Sequence, residues 1–145
     1  MKLTDIISIT GKSSLFRIVN RYKTPFMVED LENGRKMPVF PRDSIASLAD
    51  ISIYTQEDDM PLGEVFEEIK KHYPEMVSDA HVILSDRDKL RAWMMEILPI
   101  YDVERVHDSD IKKLLRWYNI LRKAGMEHFV IQEQEEQEKS TTEEA

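Results

Sequence analysis

Apolar residues in the first third of the chain fall into short runs separated by turn formers, and in the remainder they recur at every third and fourth position. Ile6-Ile7-Ser8-Ile9, closed by Gly11, and Leu15 through Tyr22, closed by Lys23-Thr24-Pro25, read as two strands. Phe26-Met27-Val28-Glu29 and Lys36-Met37-Pro38-Val39-Phe40 read as a third and fourth, joined through Asn33-Gly34. Asn-Gly is a strong hairpin signal because both residues tolerate the positive φ of a type I′ turn. Pro38 removes one ladder donor, which predicts an edge or a bulge for that strand. Asp43 can cap a single turn carrying Ile45 and Leu48, after which Ile51 to Thr55 alternates as a fifth strand. Five short strands with one helical turn before the last predict a small SH3-like five-stranded β-barrel over residues 1–55. A unit that small buries only about 60% of its unfolded surface and leans on the rest of the chain.

Residues 56–60 form an acidic linker, and Pro61 stands where a first helical residue belongs. Leu62, Val65, Phe66, Ile69 and Tyr73 then repeat at helical spacing up to Pro74. Glu75 to Leu84 has no clear period and reads as loop. Ser85-Asp86-Arg87-Asp88 resembles a capping box ahead of a second stripe, Leu90, Trp93, Met94, Ile97 and Leu98, which Pro99 stops. Asp108 or Ser109 caps a third helix whose C′ residue is Gly125. At about 100° per residue, the apolar positions of this helix from Ile111 to Ala124 cover more than half its circumference. Such a helix packs on two sides, against its sister helices and the barrel or against a second copy. The expected architecture is therefore α+β: the barrel, a three-helix domain over residues 61–131, and a tail at 132–145. That tail is rich in Glu, Gln, Ser and Thr without apolar anchors, so it should be disordered.

The net charge of −8 is unevenly spread: residues 1–55 sum to +2, 56–80 to −6, 108–132 to +2 and 133–145 to −5. The acidity sits in the linker with its following helix and in the tail, so the net sign says little about the partners of the folded parts. Zero cysteines exclude disulfides, thiolate metal sites and cysteine nucleophiles. No run approaches the roughly 18 apolar residues of a membrane span and no signal-peptide pattern opens the chain, which makes the cytoplasm the expected location and the membrane no partner.

Catalytic motifs fail one by one. Thr10-Gly11-Lys12-Ser13 ends like a phosphate-binding P-loop, but the required earlier glycine falls on Ile6. The four histidines, His72, His81, His107 and His128, have no ligand spacing, and no cofactor or metal is expected. No serine sits in a nucleophile elbow. The acidic runs Glu57-Asp58-Asp59 and Glu67-Glu68 read as solvated surface. Two constellations remain as candidate binding surfaces. Lys112, Arg116, Asn119 and Lys123 lie at helical spacing in the one polar arc of the third helix. Among the aromatics of the barrel, Phe16, Phe26 and Phe40 read as core, whereas Tyr22 and Tyr54 stay open as docking residues.

In combination, Ile7-Ser8-Ile9-Thr10-Gly11-Lys12, Leu15-Phe16, Val28-Glu29, Gly34-Arg35-Lys36 and Asp50 through Thr55 resemble a family of short Bacteroidetes proteins catalogued as a domain of unknown function. Pro61-Leu62, Val65-Phe66, Asp110 through Leu115 and Trp117-Tyr118-Asn119 extend the resemblance to residue 131. It implies a small barrel followed by helices and carries no activity with it. The chain departs from the family pattern at Ser13-Ser14, where Pro-Gly is more usual, and at Arg116, where a small polar residue is expected. These readings together favour a non-enzymatic adaptor that presents a surface to a protein partner, with self-association as one form of it. Nucleic-acid or ribosome association through the third helix and barrel is the alternative, and an enzyme without a recognisable motif is the third reading.

Overall fold

Period-two alternation places neighbouring strand residues on opposite faces of a sheet. In the computed structural model, which describes residues 1–20, 26–40 and 42–130, that alternation builds one antiparallel sheet. Its strands are β1 (Ile6–Ile9), β2 (Leu15–Asn20), β3 (Phe26–Asp30), β4 (Lys36–Val39) and β5 (Ile45–Ser47), in the order β4-β3-β2-β1-β5. Ile7 faces Phe16, Ile18 faces Val28 and Phe26 faces Val39 across the ladders. One face thereby gathers Ile7, Ile9, Phe16, Val28 and Val39 into a satellite cluster edged by Ile18, Phe26 and Met37. Ile6 and Leu15, on the other face, join the main core. Arg17 and Glu29 are paired directly across β2 and β3, with an ion pair of 3.4 Å.

Four expectations about this half are corrected. The sheet is open and not a barrel: its ladders end at β4 and β5, and among the described residues no ladder joins those two strands. The fifth strand is Ile45–Ser47, paired with β1, and the single turn of 3-10 helix, Leu48–Asp50, comes after it. Ile51 to Thr55 does alternate, with Ile53 and Thr55 buried, but it belongs to a separate small sheet. Ser52 and Ile53 pair as β6 (Ser52–Ile53) with β7 (Met60–Pro61), and Thr55 bridges to Tyr101. A period shows that a segment is extended and says nothing about which strand accepts it. Third, Asn33-Gly34 closes the β3–β4 hairpin without a type I′ turn, since Gly34 has φ +75° and no non-glycine residue has positive φ among those described. The Asp30 carboxylate organises a longer turn instead, accepting the Ser14 hydroxyl at 2.7 Å and the Glu32 N–H at 2.8 Å. Pro38 does fall on an edge strand, as its missing donor requires. Phe40, expected in the core, is 39% exposed with the Arg42 guanidinium 5.0 Å above its ring.

Four helices form among the described residues, not three: α1 (Leu62–His72), α2 (Ala80–Ser85), α3 (Arg87–Ile97) and α4 (Asp108–Lys123). The extra one, α2, has six residues and buries only Ile83, too little to display a helical period in the sequence. Caps also differ in detail. Asp86 caps α3 by accepting the Asp88 and Lys89 N–H groups, and His107 precedes α4 in a capping box with Asp110. Gly125, at φ +96°, ends α4 as expected. The wide apolar arc of α4 is satisfied within the chain, because Ile111, Leu114, Leu115, Tyr118 and Leu121 share one core with α1, α3 and the Leu3, Ile6, Leu15 and Leu48 side chains. Tyr118 is fully buried beside Phe66 and Phe129, and its hydroxyl donates to the Tyr73 carbonyl at 2.5 Å. Among the described residues no helix is long and apolar enough to cross a membrane. The tail at 132–145 and Tyr22 lie outside the described residues.

Candidate functional site

A helix placed between a sheet and other helices leaves clefts along its two flanks wherever neighbouring elements end. α4 has one on each side. The larger, about 640 Å³, is bounded by Ser13 of the β1–β2 connection, Leu31 and Glu32 of the β3–β4 turn, α2 with the preceding Met76, and α4. Its floor is apolar: Leu115 is buried, Leu31, Ala80, Leu84 and Ile120 are partly buried, and Met76 is 40% exposed. Arg116 and Lys123 stand on its α4 wall, both exposed, and His81 of α2 is exposed at the rim.

Which cations are available depends on which are already engaged. Arg122 donates to the carbonyls of Pro74 at 2.5 Å, Glu75 at 2.8 Å and Met126 at 2.7 Å, so it fastens the segment after α1 and the segment after α4 to each other. Arg87 and Arg91 both reach Asp108, at 2.8 and 2.7 Å. Desolvation pushes the Asp108 carboxyl up, but the two guanidinium groups outweigh it and hold the carboxyl below its ordinary value. Arg105 pairs with Asp102 at 2.8 Å and lies 4.3 Å above the Tyr54 ring. Arg116 and Lys123, in contrast, make no ion pair or side-chain hydrogen bond among the described residues. They are solvated charges beside an apolar floor.

The residues singled out in the sequence are thus divided. Arg116, Asn119 and Lys123 come together on one wall of the larger cleft, whereas Lys112 lines neither cleft. Asn119 is structural: its Oδ1 accepts the Val77 N–H at 2.8 Å and its Nδ2 donates to the Val77 carbonyl at 3.1 Å. Tyr54 is 45% exposed and lines the smaller cleft. The α2 residues and Met76 escape sequence reasoning because their segment shows no period, and Leu31 because it sits in a turn. Among the described residues no cluster of His, Asp and Glu could hold a metal ion.

An open antiparallel sheet backed by four helices, with a cleft on either flank of the last, defines a mixed α+β protein. Two family models match the chain, each described as a domain of unknown function, DUF5606 over residues 3–48 and DUF6852 over residues 51–121, and the chain belongs to these families. The two matches meet where the sheet gives way to β6. It is similar to a protein from Bacteroides vulgatus, a structural-genomics target solved in solution by NMR, at 36% identity and a TM-score of 0.70. That likeness covers 90% of this chain and 99% of the other. Among curated proteins no match is found.

Proposed function

We propose that this chain is a non-enzymatic adaptor whose larger cleft takes a short amphipathic segment of a partner protein, apolar on one side and acidic on the other. The observation that carries this reading is the pairing of an apolar floor with the two unengaged cations, Arg116 and Lys123, on one wall. An apolar groove with charge at its edge suits a segment that buries a few anchors and offers carboxylates to the rim. The chain's own acidic tail is a poorer occupant, since residues 132–145 contain no large apolar side chain to fill the floor. Zero cysteines suit a cytoplasmic setting.

Selection from a displayed library of twelve-residue peptides tests the reading. Recovered sequences should pair two or more large apolar residues with Asp or Glu, and binding should fall at least tenfold in Arg116→Glu with Lys123→Glu. Recovery of no common pattern, or of one that the double variant binds equally well, refutes it. Sedimentation of the chain alone covers self-association: a dimer broken by the same two substitutions would make a second copy the occupant and overturn the partner reading.

A further inference from the structure

The smaller cleft, on the opposite flank of α4, has a different chemistry. Its volume of about 410 Å³ lies within the roughly 300–1,000 Å³ of small-ligand clefts. Lys12, on the β1–β2 connection, and Lys113, on α4, both line it. Both are exposed, and neither makes an ion pair or side-chain hydrogen bond among the described residues. Trp117 stands one helical turn after Lys113, on the same flank, half-buried against the core and lining the same cleft. The hydroxyl-bearing Ser8 and Thr10 line it from the sheet side. The one carboxylate in the wall, Asp110, accepts the His107 N–H at 3.0 Å and so belongs to the start of α4.

We propose that this cleft binds a nucleotide, with the phosphate at the Lys12 and Lys113 ammonium groups and the base against the Trp117 indole. Two cations from separate elements answer the charge of a phosphate, and an indole face accepts any base because every base has a π face. Tyr54, at the end of the same cleft, is not the platform, since the Arg105 guanidinium covers its ring at 4.3 Å. The proposal does not rest on the peptide reading of the larger cleft, because the two clefts share no lining residue. A free nucleotide and a nucleotide unit of a single strand offer the same chemistry, and the experiment separates them.

Tryptophan fluorescence reads the site directly. The chain has two tryptophans, and Trp93 is 2% exposed, so quenching by an added ligand reports Trp117. The full chain is titrated at about 50 mM salt, where phosphate contacts are strong, with AMP, with an eight-residue oligoadenylate and with polyglutamate. Saturable quenching by AMP and oligoadenylate at matched affinity per nucleotide identifies a free-nucleotide site; quenching by oligoadenylate alone identifies a strand unit. In either case Lys12→Glu and Lys113→Glu should weaken binding at least tenfold, and Lys113→Gln should weaken it less. Circular dichroism melting checks that these exposed-site variants keep the fold. Trp117→Phe, followed by anisotropy of a labelled oligoadenylate, should weaken binding less than the charge reversals do. Absence of quenching by both nucleotide probes overturns the proposal. So does equal quenching by polyglutamate, or equal loss in Arg116→Glu, which lies in the other cleft.

Discussion

Replacing Gly63 by alanine should reverse the sign that helix propensity gives to such a change. Gly63 is the second residue of α1 and is buried. In an exposed helix, Gly to Ala is favourable by about 1 kcal/mol. Here a Cβ on residue 63 would overlap the Phe129 carbonyl oxygen and would meet Val130 Cγ2 at 3.2 Å and Leu3 Cδ2 at 3.3 Å. The hard contact is with backbone, so relief requires residues 129–130 to move. That segment is held by the Phe129 ring, 5.3 Å from Phe66 and 5.9 Å from Tyr118, and by the Phe129 N–H, which donates to the Glu67 carboxylate at 2.9 Å. Full undocking would expose a phenyl ring, about 2–3 kcal/mol, and break a bond to a charged acceptor, about 1.5 kcal/mol. Against these stands the propensity gain of about 1 kcal/mol, so the expected net loss is about 2.5–3.5 kcal/mol. For a chain of this size that is a fall in Tm of about 5–14 °C. Urea unfolding followed by tryptophan fluorescence measures it. Phe129→Ala supplies the control: with the segment already loosened, Gly63→Ala should cost at least about 1 kcal/mol less than in the parent, a coupling a double-mutant cycle resolves. A Gly63→Ala protein as stable as the parent, or an additive cycle, would mean that residues 129–130 do not constrain position 63.

Asn119→Ala removes both hydrogen bonds to Val77 and should lower stability by about 2 kcal/mol, read by thermal melting; a neutral result would return Asn119 to the solvated face. Tyr118→Phe leaves the Tyr73 carbonyl without its hydroxyl donor and should cost about 1 kcal/mol in urea unfolding, with the aromatic packing retained. Burial pushes the Glu67 carboxyl up, but the Phe129 N–H and Lys70 outweigh it and hold it below its ordinary value, and Asp108 is likewise lowered in the fold. Both groups therefore stabilise the folded chain fully above their unfolded pKa, and this contribution is lost as pH falls through the folded pKa. The urea midpoint should drop below about pH 4.5, less steeply in Glu67→Gln, and a midpoint that rises on acidification would contradict the assignment.

The short apolar run of Ile6 to Ile9, the spacing of Leu62 to Ile69 and of Leu90 to Ile97, and the glycine after α4 determined strands, helices and stops, because those signals are local and each residue's neighbours enforce them. The same reading identified α4 as a helix packed on two sides and placed Arg116, Asn119 and Lys123 on one polar arc. What no local pattern carries is which edge accepts a strand, and so Ile45–Ser47 pairs with β1 as the fifth strand of the sheet, while Ile51 to Thr55, expected as the fifth strand, contributes to a separate small sheet. Nor does a period reveal α2, whose six residues bury a single side chain, Ile83. The candidate site divides in the same way. Charge along α4 is written in the sequence; that Asn119 is consumed by Val77, and that Lys113 with Trp117 faces a different cleft from Arg116 with Lys123, was decided only when the sheet and α2 closed on the two flanks of one helix.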